Sequence, residues 1–252
     1  MSDFRDMRLG LIHQPVPASP HLTGVLAPLA VPDAVDWFDA VRQASSVTIC
    51  NGKVRANDRR SCCVAVGALQ YLRTIRAIYG DERDFTDDQV LDLYAAWGWD
   101  GTDAGDIGLN SVQAGILWSA RGIQWCRQFE DVPNVLPIPL AHLRASLAFL
   151  GPCQLDLALP LAWQTAKTWD VVDGPDGKAG SWGAHRICVG AYDAEAVTAV
   201  TWGVAQSITW DAVAEYGLGA WACVDRRWLE TTSLSPAGLD YDRLTAEGAA
   251  LA

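Results

Sequence analysis

The chain has 252 residues, half of them apolar, and a formal net charge of −11 at pH 7, enough for one large domain or two small ones. The acidic balance argues against sequence-independent nucleic-acid binding, which needs Lys and Arg to neutralise phosphates, and against docking on an anionic membrane or cell wall. No run of 18 apolar residues occurs, and the opening MSDFRDMRLGLIHQPVP carries acidic residues, so neither a membrane span nor a secretory signal is expected.

Seven cysteines (Cys50, Cys62, Cys63, Cys126, Cys153, Cys188 and Cys223) form no CxxC pair and no disulfide or zinc-site spacing. A soluble protein folding in a reducing compartment, with no metal and no cofactor, is the expectation. Twelve tryptophans are spread from Trp37 to Trp228 without a stripe, which suits core and interface packing better than a sugar platform.

In chain order, residues 1–32 read as an arm. QPVPASPHLTGVLAPLAVP (14–32) holds five prolines and few charges, so it should be extended and dock on this chain or on a neighbour. Asp33 to Gln43 reads as a short amphipathic helix. A longer helix opens at Cys62 or Cys63 and runs to Tyr79, with Val66, Leu69, Leu72 and Ile75 at helical spacing and Gly80 as its stop. In FTDDQVLDLYAAWGW, Thr86 and Gln89 form a capping box, and Phe85 with Val90 a hydrophobic staple. Asn110 to Arg121 and IPLAHLRASLAFLG give two more helices.

After about residue 150 the apolar period becomes two. CQLDLAL, HRICVGAY, AVTAVTW and AWACVD read as strands, WDVVDGPDGKAGSWG as a polar loop, and TWDAVAEYG as a brief helix. Helices followed by a sheet predict an α+β fold: a helical half over about 33–150 packed on an antiparallel β half over about 151–230, then a C-terminal tail.

Cys62 and Cys63 stand where a charged loop meets a helix start, the place where dipole and free N–H groups favour thiolate; two small buried thiols would look the same. Thiol catalysis also needs a proton acceptor. His13 and His21 lie in the arm and His142 on a helix surface, whereas His185 ends a polar loop and opens an apolar strand. A cysteine at a helix start with a distant histidine at a strand start resembles the papain-like cysteine peptidases. CVAVGAL at Cys63 is similar to that family's Cys-Trp-Ala-Phe-Ser-Ala run, HRICVGAYD to its His strand, and VTWG (200–203) to its Asn-Ser-Trp-Gly. A narrower likeness is to papain-fold proteins of tailed bacteriophages, through NDRRSCC, LYAAWGW, GLNSVQAGILWSARGI and GSWGAH in the same order over about residues 50–230.

The resemblance implies Cys63 as nucleophile, His185 as its base, Asn57 as the oxyanion amide, and Trp202 as a shield over the site. It also places Val200 where the family has the asparagine that orients the histidine, and an isopropyl group cannot accept an imidazole N–H. Thr201 beside it is expected on the opposite face. The reading that follows is a papain-fold phage protein serving as a structural or accessory virion component with a degenerate Cys–His site. It would be made in the host cytoplasm and contact other virion proteins through the 14–32 arm in a multi-subunit assembly. The alternative is a thiol hydrolase, a cysteine peptidase or peptidoglycan amidase or endopeptidase, using a Cys63–His185 dyad.

Overall fold

Fourteen of the sixteen residues of the helix Cys63–Ile78 are buried, and a helix buried on all sides belongs at the centre of a molecule. Its two inward-facing arginines are paired rather than bare: Arg73 Nε donates to Glu82 at 2.7 Å, and Arg76 pairs with Asp81. The computed structural model describes residues 3–15, 30–44, 49, 52–121, 123–125, 128–130, 134–224 and 234–240. Most of the expected 14–32 arm, His21, Cys50, Cys126 and most of the C-terminal tail lie outside the described residues.

In chain order the elements are β1 (Leu11–Ile12), β2 (Val35–Asp36), α1 (Phe38–Ala44), α2 (Cys63–Ile78), α3 (Asp87–Trp97), β3 (Leu109–Asn110), α4 (Ser111–Arg121), β4 (Ile123–Trp125), β5 (Gln128–Glu130), β6 (Asn134–Ile138), α5 (Leu143–Leu150), β7 (Cys153–Leu159), β8 (Thr168–Trp169), β9 (Gly183–Tyr192), β10 (Ala196–Thr201), β11 (Val204–Thr209), α6 (Trp210–Tyr216) and β12 (Gly217–Val224). The capping box of α3 forms as expected: Gln89 N–H donates to Thr86 Oγ1 at 3.3 Å and Thr86 N–H to Gln89 Oε1 at 2.9 Å. Phe85 and Val90 are buried in one cluster. Asn110 Oδ1 accepts from the N–H groups of Val112 and Gln113, both at 3.0 Å, and so caps α4.

The main sheet runs β6-β12-β7-β9-β10-β11-β8, with β2 added to β9. Its pairs are antiparallel except β8–β11. Asp156 faces Arg186 and Leu157 faces His185 across β7–β9, which makes the two sides of the sheet unlike. Leu155, Leu157, Ile187 and Val189 enter a core with α5, α6, Trp163 and Trp169, while Gln154 and Arg186 reach Gly67 of α2. The helical layer packs on that second side, and the α+β architecture stands.

Three details differ from the sequence reading. The helix expected from Asp33 starts only at Phe38, because Val35 and Asp36 pair with Tyr192 and Ala191. Strands β4, β5 and β6 fall within the half read as helical, and β6 joins the main sheet. Its Pro137 is tolerated because β6 is the sheet's edge, where a missing N–H costs no ladder bond. Finally, β11 follows β10 through a two-residue hairpin loop, Trp202-Gly203, in which both residues have positive φ (41° and 77°). Such primed turns match strand twist, yet tryptophan rarely adopts this conformation, so Trp202 is held there by its surroundings.

Candidate active site

Cys63 is the first residue of α2 and is 1 % exposed. Burial pushes its thiol up to about 11; the main-chain N–H groups of Arg186 and Gly10 oppose this by favouring the thiolate. Cys62 points elsewhere, its thiol donating to Arg55 O at 3.8 Å, and burial pushes its pKa up as well. Of the two thiols at the opening of the helix, only Cys63 therefore meets the strand that carries His185.

His185 is the third residue of β9 and is 2 % exposed. Its Nε2 lies 2.8 Å from Thr201 Oγ1, and its ring stacks on Trp202 with centroids 4.2 Å apart and planes 18° apart. Nδ1 is buried with no hydrogen-bond partner. Burial pushes the imidazole down to about 3, so the ring is neutral at pH 7. The expectation that Val200 occupies the orienting position is corrected. Val200 pairs across from Cys188 and packs with Phe38 and Val41, whereas alternation turns Thr201 to the face that His185 shares with Ile187.

The same alternation limits the dyad. Arg186, not His185, turns its side chain to α2, and among the described residues no hydrogen bond joins Cys63 to His185. The two meet instead through the Arg186 main chain, one residue from the imidazole. Asn57, 2 % exposed, is drawn into the same region, but its Nδ2 donates to Arg60 O at 2.9 Å and Arg8 O at 3.3 Å, so its amide is already engaged.

The reason both groups are dry is the chain's own beginning. Phe4 N–H donates to Gln164 O at 2.8 Å, and the Phe4 ring packs on Trp169 and Trp202, with centroids 6.2 and 5.1 Å away. Arg8 N–H donates to Asn57 O at 3.0 Å, Gly10 passes beside Ser61 and Cys63, and Leu11 and Ile12 pair in parallel with Leu109 and Asn110. Residues 4–12 thus cross from the β half to the helical half over the thiol. The sequence reading takes residues 1–32 as one extended arm and expects docking from 14–32, not from 4–12 over the thiol, although the apolar alternation around a glycine, RLGLI, was a signal.

Behind the thiol lies a buried ion pair, also not anticipated. Asp156 accepts from Arg186 Nε at 2.5 Å and Nη2 at 2.8 Å, and from Trp221 Nε1 at 3.1 Å; both charged side chains are 1 % exposed. Among the described residues no three His, Cys, Asp or Glu side chains gather to hold a metal ion, and no helix is long and apolar enough to cross a membrane.

No protein-family model and no curated protein matches the sequence. Solved structures do match the fold. Xylellain, a cysteine protease from Xylella fastidiosa, aligns with a TM-score of 0.59 at 11 % identity, over 89 % of this chain and 98 % of that one. A procathepsin B from Trypanosoma congolense aligns with a TM-score of 0.59 at 12 % identity, over 88 % and 87 %. The digestive procathepsin L 3 of the Tenebrio molitor larval midgut aligns with a TM-score of 0.53 at 11 % identity, over 88 % and 75 %. The chain has the papain-like fold.

Proposed function

We propose that this protein is a papain-fold thiol hydrolase that cuts a peptide or amide bond, with Cys63 as nucleophile and His185 as proton carrier. The observation that carries the reading is that the helix-start thiol of Cys63 meets the Arg186 main chain of β9, one residue from a neutral His185. With Nε2 held by Thr201 and the ring lying on Trp202, Nδ1 is the one ring atom left to take the Cys63 proton.

In this reading, withdrawal of residues 4–12 removes Phe4 from Trp202, admits substrate, and frees the Asn57 amide from Arg8 O. The same withdrawal has to let the His185 ring turn from the aromatic face of β9 toward Cys63; the Cys63 sulfur then attacks the carbonyl carbon as its proton passes to Nδ1. Asn57 Nδ2 and the Cys63 N–H hold the oxyanion, and the amine leaves with the proton from the imidazolium. Water, deprotonated by His185, hydrolyses the thioester and restores the thiol. The papain-like fold of the solved relatives supports the reading.

The test is turnover of a mixed peptide library followed by mass spectrometry, with His185→Ala as control. Cleavage by the native chain that His185→Ala abolishes is the expected result. Cleavage that persists in the variant, or none at any pH from 5 to 9 once the N-terminal segment is displaced, overturns it. One observation favours a second reading: Cys63 and His185 are not hydrogen-bonded and the thiol is raised rather than acidified. That suits a fold kept for shape, such as a structural virion component contacting other virion proteins through the 14–32 arm. It predicts no cleavage and binding to a particle instead.

A further inference from the structure

We propose that the groove over Cys63 is a peptide site that takes an extended apolar–Gly–apolar segment and admits only glycine at the position facing the thiol. The inference takes its chemical purpose from the hydrolase reading and names the substrate class of that site.

The groove is measured by what now fills it. A Cβ added at Gly10 would lie 1.8 Å from Ser61 O and 2.2 Å from Ser61 C, and Ser61 stands two residues before the thiol. On the other wall, a Cβ at Gly108 would lie 2.3 Å from Gly10 O, and Gly108 has φ +90°, which favours glycine in any case. The Ser61 wall is main chain, which cannot swing aside as a side-chain tip can, so a methyl group on the occupant displaces it, while the Gly108 wall has to be glycine itself to let the occupant's carbonyl approach.

Everything else in the groove is suited to peptide backbone. Leu109 N–H donates to Gly10 O at 2.8 Å, Gly10 N–H faces the Cys63 sulfur, and Asn57 holds Arg8 at both its N–H and its C=O. Main-chain bonds of this kind bind any extended peptide; selectivity has to come from the pockets and the exclusions. Leu9 supplies one flank, its Cδ1 only 2.7 Å from where a Cβ on Gly183 would stand, so Gly183 makes the room that a large apolar neighbour needs. Leu11 supplies the other, 8 % exposed in the cluster that includes Leu109. Leu9-Gly10-Leu11 is therefore a template for the peptides the groove accepts.

The experiment uses the full chain carrying Gly10→Ala, whose own segment can no longer seat. Iodoacetamide labelling of Cys63, separated from Cys62 by fragment mass spectrometry, should accelerate at least about tenfold over the native chain. The peptide RDMRLGLIHQ at millimolar concentration should reverse that gain, and RDMRLALIHQ should not. Labelling as slow as in the native chain, or equal protection by the two peptides, overturns the proposal. If circular dichroism shows that Gly10→Ala does not fold, Leu11→Ala loosens the segment without a clash. With fluorescein-labelled peptides read by anisotropy, the glycine peptide should then bind that variant at least about tenfold more tightly than the alanine peptide; equal affinities overturn the proposal. Glycine selection without any hydrolysis removes the hydrolase reading alone, and hydrolysis without glycine selection removes this inference alone.

Discussion

The two faces of β9 are buried to the same degree and solve burial in opposite ways. Toward α2, Arg186 is clamped by Asp156, which also accepts from Trp221, and Gln154 Nε2 donates to Gly67 O at 3.0 Å. Toward the aromatic core, His185 has one nitrogen satisfied by Thr201 and the other unpaired. The paired charge of Arg186 holds two layers in register, while the imidazole of His185 is kept neutral by burial with one nitrogen unpaired. Burial alone does not separate the two faces; the presence of a paired charge on one and of a neutral titratable ring on the other does.

The comparison breaks first at the ion pair. Asp156→Ala leaves Arg186 buried without its partner and should cost about 3–5 kcal/mol in a urea titration, whereas replacing Asp156 and Arg186 together with leucines should recover most of that loss. If the double replacement is no better than the single one, the pair does more than neutralise itself.

The next effect is a pH dependence belonging to the other face. His185 titrates near 6.5 when unfolded and is pushed down to about 3 when folded. Between those values the unfolded chain binds the extra proton, so stability falls as pH falls. At pH 4.5 the loss attributable to His185 should be about 2–3 kcal/mol relative to pH 7. Urea titrations of native and His185→Ala protein at both pH values check this. Parallel pH profiles would mean that His185 is not kept neutral by the fold.

Smaller effects divide the neighbours on β10. Val200→Asn places an amide against Phe38 and Val41 and should cost about 1–3 kcal/mol while leaving the alkylation rate of Cys63 unchanged, because residue 200 faces away from His185. Thr201→Val keeps the shape and removes the hydroxyl, for a loss of about 1 kcal/mol in thermal or urea midpoint. In an active enzyme it should also lower kcat with KM nearly constant. A gain in Cys63 reactivity from Val200→Asn would restore residue 200 to the orienting role.

Much of this was legible in the chain. The capping box at Thr86, the switch from helical to alternating period near residue 150, and the placing of Cys63 at a helix start are local patterns that no tertiary pairing overrode, unlike the helix start expected at Asp33. They were enough for the α+β class. Edge strand β6 was hidden because Pro137 argues against a strand unless it is known that no neighbour needs its N–H.

What the tertiary structure decided is which groups meet. Nothing in VTWG says that Thr201, not Val200, shares a face with His185, since the register of a strand depends on its partners. Nor does a scattered Asp156, Arg186 and Trp221 announce a buried cluster. The covering of Cys63 by residues 4–12 was the least foreseeable, because a backbone can approach another backbone this closely only where two glycines, Gly10 and Gly108, arrive from distant parts of the chain. Composition and periodicity determine the elements; the distance between them in sequence leaves their meeting to packing.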